Sequence, residues 1–363
     1  MKKTVVCQVI AELGDGGVET MLLDVYRNIN REQFKFIFIV QNDKRKYEKE
    51  IRNFGGEILQ VSSLKQVGII KYIQQLKKVF KTEKVDVVHC HNLTQNPIIL
   101  FTAFISNIKI RVSHSHLTTC FSEKAKLVMP IIRFLINIFS TSKISCGKQA
   151  GEFLYGKSDF IIVHNAIDTD KFINAKYNNN LSLIPNIYNK KVVLHVGRLS
   201  EQKNHEYIFK IAKQLINEDV IFVCCGDGPR FTELNEIIKK DGLDDKVYLL
   251  GSRNDIHEIM KGADLLILPS LYEGLPVTII EAQASNLKCI VSNQVDKDCD
   301  LGLDLVTFLP INDNDTKIWA DLILDNTSHK NCNKKIRDRL KSCGYDGMAN
   351  GKILSEIYRG IKK

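Results

Sequence analysis

Short apolar runs alternate with amphipathic helical patterns along this chain of 363 residues. Such runs, rich in Val, Ile, Leu and Phe, are typical of strands buried on both faces of a parallel sheet. The patterns between them have the spacing of helices that cover such a sheet. The runs form two series, 4–10, 36–40, 85–89, 110–113, 143–146 and 160–163, then 191–196, 220–225, 246–250, 264–269 and 288–292. The alternation predicts an α/β fold with two Rossmann-like, doubly wound domains.

An asparagine-rich segment without clear periodicity separates the two series at 174–190, and we predict that it is a linker. The predicted N-terminal domain covers 1–173, and the predicted C-terminal domain covers 191–345. A last helical pattern follows at 346–363. The chain length fits two hydrophobic cores of similar size.

The composition is ordinary for a soluble globular protein, with 44% hydrophobic and 26% charged residues. The first apolar run stops at Glu12 without a cleavage pattern, which predicts a buried strand rather than a signal peptide. The stretch 127–139 is too short to span a membrane and contains Pro130 and Arg133. It predicts either a core helix or a partly exposed helix that touches a membrane. The ten cysteines include no Cys-x-x-Cys pair, so we expect reduced thiols and a cytoplasmic protein.

The positive charge is concentrated in the first half of the chain. Residues 1–170 contain 24 Lys and Arg against 16 Asp and Glu, and residues 171–363 contain 27 against 26. This excess predicts an anionic partner for the first domain, which could be a phospholipid surface, a polyprenyl diphosphate or a nucleic acid. Because basic motifs interleaved with aromatic residues are absent from the sequence, we expect no nucleic acid partner.

Two glutamates, Glu273 and Glu281, flank the predicted start of a helix that follows the apolar run 264–269. Gly274 and Pro276 end the strand, and proline suits the first position of a helix. A helix start offers unpaired N–H groups to a phosphate, and two carboxylates can accept hydrogen bonds from several hydroxyls. This arrangement favours a ligand with an anionic end and a hydroxyl-rich end, and a nucleotide sugar is such a ligand.

Two cations and two glycines stand at other strand ends. Arg198 and Lys203 follow the run 191–196, where open α/β sheets bind ligands, and they could grip a diphosphate. Gly16 and Gly17 follow the first strand and would let the backbone approach a ligand closely. Glu19 occupies the third glycine position of a dinucleotide fingerprint, so the pattern is a weak match to an NAD-binding site.

Four histidines end two neighbouring strands of the first series, namely His89, His91, His114 and His116. Residue alternation places His114 and His116 on one face, and it turns Cys90 away from His89 and His91. No further metal-ligand set is evident in the surrounding sequence, so we predict no metal here.

These motifs resemble the retaining glycosyltransferases of family 4, which have the GT-B fold. The resemblance rests on Glu-Gly-Leu-Pro at 273–276, Gly-Gly-Val-Glu at 16–19, Gly-Arg-Leu at 197–199 with Lys203, and Gly-Asp-Gly-Pro at 226–229. It implies two domains facing across a cleft, with the donor mainly on the second domain, the acceptor on the first, and the C-terminal helix crossing back to the first domain. The Asp-x-Asp at 168–170 matches the metal signature of the other main transferase fold. It lies in a segment similar to one that family 4 carries before the linker, so neither a metal nor another cofactor is expected.

The resemblance also implies roles for the residues singled out above. The catalytic residues would be His114, Glu273, Arg198 and Lys203, with His116 as the rival histidine and with His89 and His91 lining the cleft or contacting the acceptor. The donor would contact the set Gly16, Gly17, Arg198, Lys203, Arg253, Glu273, Gly274, Leu275, Pro276 and Glu281.

We therefore predict a glycosyltransferase that moves a hexose or N-acetylhexosamine from a nucleotide sugar, expected to be a UDP-sugar, to a glycan acceptor. The acceptor is expected to be lipid-linked, as in bacterial capsule and exopolysaccharide synthesis, and the enzyme would work in the cytoplasm or at the inner face of the cell membrane. The alternatives are a UDP-sugar 2-epimerase of the same fold, a non-catalytic nucleotide-sugar or lipid-binding protein, and, with less support, an NAD dehydrogenase.

Overall fold

A computed structural model describes residues 3–361, except 15, 44–45, 118–122, 178–180, 183, 186, 274 and 326–330, and except the side chains of 123–126. The chain divides into two compact units. The first contains residues 1–167 and 344–363, and the second contains residues 168–343. Each unit is built on one parallel sheet, which confirms the predicted pair of Rossmann-like domains.

The first unit has a seven-stranded sheet in the order β3-β2-β1-β4-β5-β6-β7. Its strands are β1 (Thr4–Val9), β2 (Phe34–Val40), β3 (Glu57–Gln60), β4 (Val87–Cys90), β5 (Ile110–Ser115), β6 (Ser142–Ser145) and β7 (Ile161–Ile162). Its helices are α1 (Gly17–Asn28), α2 (Glu48–Asn53), α3 (Leu64–Thr82), α4 (Asn96–Ile105), α5 (Glu123–Phe139), α6 (Lys148–Tyr155) and α14 (Gly347–Tyr358).

The second unit has a six-stranded sheet in the order β10-β9-β8-β11-β12-β13. Its strands are β8 (Lys191–Val196), β9 (Val220–Cys225), β10 (Val247–Gly251), β11 (Leu265–Leu268), β12 (Cys289–Ser292) and β13 (Val306–Leu309). Its helices are α7 (Thr169–Ile173), α8 (His205–Gln214), α9 (Phe231–Lys240), α10 (Ile256–Gly262), α11 (Val277–Ala284), α12 (Thr316–Leu324) and α13 (Asn333–Ser342).

The central strands are apolar on both faces because helices cover both sides of each sheet. Alternate residues of β1 therefore belong to different cores. Val6 packs with α1 and α14, whereas Cys7 and Val9 pack with α3, α4 and α5. The order of strands places the carboxyl ends of β1, β4 and β5 side by side, and likewise those of β9, β8 and β11.

The C-terminal helix α14 belongs to the first unit, as predicted, and packs on α1. Gly347 and Gly351 permit this contact, since a Cβ at Gly347 would lie 2.1 Å from an Asp24 carboxylate oxygen. The segment 174–190, predicted as a linker, falls inside the second unit, and its described apolar residues Leu181, Ile184 and Ile187 are buried. These apolar residues recur every three residues, but the many asparagines around them make the pattern hard to recognise in the sequence.

None of the described helices has the length and apolarity that a membrane span requires. None of the nine cysteines in the described part of the chain forms a disulfide, and seven of them are buried.

Candidate active site

An ion pair joins the loops that follow β8 and β11 in the second unit. The Nζ of Lys203 lies 2.5 Å from Oε1 of Glu273, and the two side chains are only 14% and 12% exposed. Glu273 Oε1 also accepts a hydrogen bond of 3.1 Å from the buried hydroxyl of Ser270. The carboxylate is therefore fixed by a cation and a hydroxyl at the end of the central strands, where this type of sheet binds ligands.

Backbone hydrogen bonds hold these two loops together. Leu271 N donates to Gln202 O at 2.9 Å, and the Gln202 side-chain amide donates to Tyr272 O at 2.9 Å. Asn204, in the left-handed conformation, donates from its side chain to Pro269 O at 3.2 Å. The position of Lys203 relative to Glu273 thus depends on two loops that brace each other.

Glycines let the neighbouring strand-end loops come close. A Cβ at Gly226, whose φ is +149°, would lie 1.9 Å from Gly197 O. A Cβ at Gly197 would lie 3.0 Å from Cε of Lys203, so the lysine stem passes directly over this glycine. The Gly-Arg-Leu and Gly-Asp-Gly-Pro motifs therefore meet at one edge of the sheet.

The two arginines predicted to contact the donor differ in their surroundings. Arg198 is exposed, and its guanidinium has no hydrogen bond or ion pair within the described residues. Arg253 makes two hydrogen bonds to Asp255, from Nε at 2.9 Å and from Nη2 at 2.6 Å. Arg198 is available to an anion, whereas a ligand would have to compete with Asp255 for Arg253.

Glu281 is the fifth residue of α11 and therefore lies in its second turn, as predicted. Burial raises the pKa of its carboxyl from 4.5 to about 7, and Lys171 opposes this shift. Its carboxyl makes no hydrogen bond to any residue in the described ranges, which leaves it open to ligand hydroxyls.

The predicted first turn of α11 needs one correction. Pro276 is buried and occupies the N-cap position, so the helix begins at Val277 and not at the proline. Its ψ of 103° is extended, which places it one residue before the helix. Leu275 is half-buried beside it, and Gly274 lies outside the described residues.

Four histidines form a cluster at the ends of β4 and β5 in the first unit. His91 Nδ1 lies 2.9 Å from His116 Nε2, and His114 Nδ1 lies 3.2 Å from His89 Nε2. The rings of His89 and His114 are parallel, with centroids 5.2 Å apart. The structure thus brings together all four histidines singled out in the sequence.

Burial lowers the pKa of every imidazole in this cluster. It lowers the pKa of His89 to about 3. It also lowers the pKa of His116 to about 3, although a hydrogen bond to the side chain of Asn165 opposes this shift. Burial and the other imidazoles hold the pKa values of His91 and His114 well below 6.5. At pH 7 the cluster is therefore neutral, and it acts through hydrogen bonds rather than through charge.

Three of these residues, His89, His91 and His114, offer nitrogens that all lie within 4.8 Å of one another, close enough to hold a metal ion. The facing nitrogens of His89 and His114 already pair with each other, and both nitrogens of His91 have partners. Cys90 points away, and its thiol donates to Val112 O. A metal ion would have to break these hydrogen bonds in order to bind. The arrangement of the histidines therefore favours hydrogen bonding over metal binding.

Sequence reasoning missed two residues that complete this network. Gln8 of β1 bonds to His91 Nε2 at 3.0 Å, and the Tyr358 hydroxyl of α14 bonds to His89 Nδ1 at 2.8 Å. Gln8 is a polar residue inside an apolar strand, which is a weak signal in the sequence. Nothing near Tyr358 in the sequence indicates a site.

Gly16 is the N-cap of α1, and Gly17 is the first residue of this helix. A Cβ at Gly16 would lie 2.3 Å from a carboxylate oxygen of Glu19, which folds back over the helix start. A side chain at position 16 would therefore displace the carboxylate of Glu19 from the helix start.

The Asp-x-Asp motif has structural partners. Asp168 caps α7 by accepting a hydrogen bond of 3.0 Å from Lys171 N, and Asp170 pairs with Arg337. The two carboxylates therefore stabilise local structure, one as a helix cap and the other as the partner of an arginine.

Residues 183–341 match the family described as Glycosyl transferases group 1. Over 97% of this chain and 96% of the relative, the sequence is 32% identical to EpsF of Bacillus subtilis (strain 168), which is described as a glycosyltransferase. It is 30% identical to the UDP-Gal:alpha-D-GlcNAc-diphosphoundecaprenol alpha-1,3-galactosyltransferase of Escherichia coli, over 88% of this chain and 89% of the relative.

Solved structures show the same fold. The crystal structure of Anabaena HepE in complex with UDP and glucose superposes with a TM-score of 0.71 at 18% identity, over 99% of this chain and 98% of that one.

Proposed function

This chain belongs to the group 1 glycosyl transferases, and from that premise we propose that it transfers a hexose or N-acetylhexosamine from a UDP-sugar to a lipid-linked glycan with retention of configuration. The observation that carries the proposal is the Lys203–Glu273 pair at the strand ends of the second unit, beside the exposed Arg198. A lysine and an arginine at this edge suit a diphosphate.

In the reaction, the bond between the anomeric carbon and the diphosphate oxygen breaks, and a bond from that carbon to an acceptor hydroxyl oxygen forms. The acceptor proton leaves with the product nucleotide or with water. Negative charge develops on the departing diphosphate, and Arg198 and Lys203 would stabilise it electrostatically. We propose that neither step uses a metal or another cofactor.

The hydroxyls of the donor would bind the carboxylates. Glu281 has no hydrogen-bond partner within the described ranges, and it can accept hydrogen bonds from two adjacent ribose hydroxyls once it is ionised. Glu273 would contact the sugar while it keeps Lys203 in place. His114, whose Nε2 is buried without a partner among the described residues, is the histidine that we propose for contact with the reacting sugar.

Two named relatives support the choice of substrates. UDP-Gal is part of the name of the E. coli relative, and UDP occupies the Anabaena HepE structure. The same E. coli name describes a diphosphoundecaprenol acceptor. These substrates fit the anion-binding residues of the second unit and the basic character of the first.

The first unit also has a surface suited to an anionic membrane. One side of α5 is buried through Met129, Ile132 and Ile136. The opposite side exposes apolar residues that continue onto α4. We call this surface the apolar face, and it consists of Leu127, Ile131, Phe134 and Ile138 of α5 with Phe101, Phe104 and Ile105 of α4. The helix thus combines both predicted roles, core packing and exposure.

A cavity of about 340 Å³ lies at the end of α4, next in the chain to Ile105 of this face. Ser106 and Ile108 line it on one side, and Lys77, Lys78 and Lys81 of α3 line it on the other. Exposed apolar side chains beside a cluster of lysines are typical of a surface that binds an anionic lipid layer. We propose that this face holds the enzyme at the inner face of the membrane, where a lipid-linked acceptor resides.

The test is release of nucleoside diphosphate from UDP-, GDP- and ADP-sugars, with and without a bacterial lipid extract. We expect release from one UDP-sugar that increases with the extract, together with a glycosylated lipid. Conversion of the UDP-sugar to its 2-epimer would instead identify an epimerase. Binding of a UDP-sugar without turnover in any extract would identify a binding protein, and NADH binding would favour a dehydrogenase.

A further inference from the structure

Gln8 lies between the two histidine pairs of the first unit and bonds to both branches of the network. It is fully buried on β1. Its Oε1 lies 3.0 Å from His91 Nε2, and its Nε2 donates to the Tyr358 hydroxyl at 3.0 Å. The tyrosine comes from α14, so the N-terminal strand and the C-terminal helix meet at the histidine cluster.

The first branch runs from Gln8 through Tyr358 to His114. The Tyr358 oxygen accepts a hydrogen bond from the Gln8 amide, so its own O–H group can donate to His89 Nδ1 at 2.8 Å. A neutral imidazole carries one proton, which His89 must then hold on Nε2 and donate to His114 Nδ1. His114 consequently carries its proton on Nε2, and this nitrogen is buried without a partner in the described part of the chain.

The second branch runs from Gln8 through His91 to His116 with the opposite sense. Gln8 Oε1 accepts a hydrogen bond from the N–H group at His91 Nε2, which leaves His91 Nδ1 as an acceptor. His116 Nε2 donates to that nitrogen, so His116 Nδ1 carries a lone pair. One amide thus produces a donor at the end of one branch and an acceptor at the end of the other.

This opposition does not depend on which way the amide is oriented. If the oxygen and nitrogen of Gln8 exchange places, every proton in both branches moves to the other side of its hydrogen bond. His114 then ends in a lone pair and His116 in an N–H group. Because all four imidazoles are neutral at pH 7, these protons, and not charges, decide what each end can bind.

We propose that Gln8 and Tyr358 are positioning residues that fix the tautomer of His114 and give His114 and His116 opposite hydrogen-bonding roles. In the observed orientation, His114 offers an N–H group to an oxygen of the sugar, and His116 is left as an acceptor beside the side chain of Asn165. The catalytic part of this inference rests on the proposed glycosyl transfer, whereas the tautomers can be measured without any activity.

The experiment compares wild type with Gln8→Glu by long-range ¹H–¹⁵N NMR of the imidazole rings at pH 8. A carboxylate at position 8 has no proton to give, so it accepts from both Tyr358 and His91. The tyrosine then accepts from His89 Nδ1, and His114 moves its proton to Nδ1. His116 keeps its tautomer, so both ends become acceptors. A variant of each histidine to asparagine assigns its signals.

Tyr358→Phe is the second variant, and it interrupts the first branch alone. We expect a mixture of His114 tautomers and an unchanged His116. Gln41→Glu is the matched control, because Gln41 also donates to a buried tyrosine hydroxyl, that of Tyr72. Its other amide partner is Gln95, and it has no histidine partner in the described part of the chain. It should leave the histidine spectrum unchanged.

The kinetic readout separates positioning from general damage to the fold. Both Gln8→Glu and Tyr358→Phe should lower kcat by about tenfold or more, as for loss of a proton donor, with the KM of the donor nucleotide kept within about twofold. An unchanged His114 tautomer in both variants would overturn the proposal. If the tautomers change as expected but the wild-type chain has no transferase activity, the hydrogen-bond network is supported and the proposed function is wrong.

Discussion

Lys203 Nζ and Glu273 Oε1 are 2.5 Å apart, and both side chains are largely withdrawn from solvent. Removing one member of such a pair leaves the other charge uncompensated, which costs far more than removing both. The pair therefore has two measurable properties: it stabilises the contact between two loops, and it holds a cation where a diphosphate would bind.

Lys203→Met should lower the free energy of unfolding by about 1–3 kcal/mol and reduce transfer by about a hundredfold or more. The stability effect arises from the uncompensated Glu273, and the kinetic effect arises from the lost cation. In the double variant Lys203→Met with Glu273→Leu, stability should return and activity should not. Denaturant unfolding and nucleotide release measure the two effects. Wild-type transfer by well-folded Lys203→Met would remove this residue from the site.

Glu281 should make the stability of the protein depend on pH. Its pKa is about 7 in the folded chain against an ordinary value of 4.5, so the folded state binds its proton more tightly than the unfolded state does. Stability contributed by this protonated carboxyl is fully present below pH 4.5 and is lost as the pH rises through 7. The loss should be at most about 3 kcal/mol.

Glu281→Gln should remove this part of the pH dependence when unfolding is followed between pH 4.5 and 8. Glu236→Gln is the matched control, because Glu236 is exposed on α9 of the same unit. If the two variants show the same pH profile, the carboxyl of Glu281 is not held in a protonated state.

The sequence alone could predict where the candidate site residues gather, because the carboxyl ends of parallel strands meet at one edge of a sheet. Arg198, Lys203 and Glu273 follow this rule, as do the four histidines. Local periodicity also located eleven of the thirteen described strands and the second-turn position of Glu281, whereas the short strands β3 and β13 were not predicted.

Partners that are distant in the sequence could not be predicted. Gln8 and Tyr358 are 350 residues apart, and no local pattern indicates their hydrogen bond. The ion pair between Arg253 and Asp255 is local, but its formation depends on the conformation of both side chains, which the sequence pattern does not give. The linker prediction for 174–190 differs from the observed division because burial of Leu181 and Ile184 is a tertiary effect.

Gly226→Ala should disrupt the second unit more than Gly242→Ala does. Both glycines have positive φ angles, +149° and +66°, so an alanine is strained at either position. A Cβ at Gly226 would also lie 1.9 Å from Gly197 O, whereas a Cβ at Gly242 meets nothing within 4 Å. We expect about 1 kcal/mol of destabilisation at Gly242 and several at Gly226, with weaker UDP binding only at Gly226. Equal effects in thermal unfolding and calorimetry would show that the loops around Gly197 tolerate displacement.

Phe134→Ser should weaken binding to vesicles that contain phosphatidylglycerol by about tenfold or more, because a phenylalanine inserted into lipid contributes roughly 1.5–3 kcal/mol. Phe134 is 64% exposed on the apolar face and is not needed for the core. Replacing Lys77, Lys78 and Lys81 with glutamine should reduce binding at low salt and leave little salt dependence. Asn137→Ser, on an exposed position of the same helix, is the control.

Vesicle sedimentation measures binding, and UDP calorimetry shows that the second unit remains intact. Equal sedimentation of Phe134→Ser and wild type would exclude the apolar face as the membrane contact, and binding to neutral phosphatidylcholine alone would exclude the lysines.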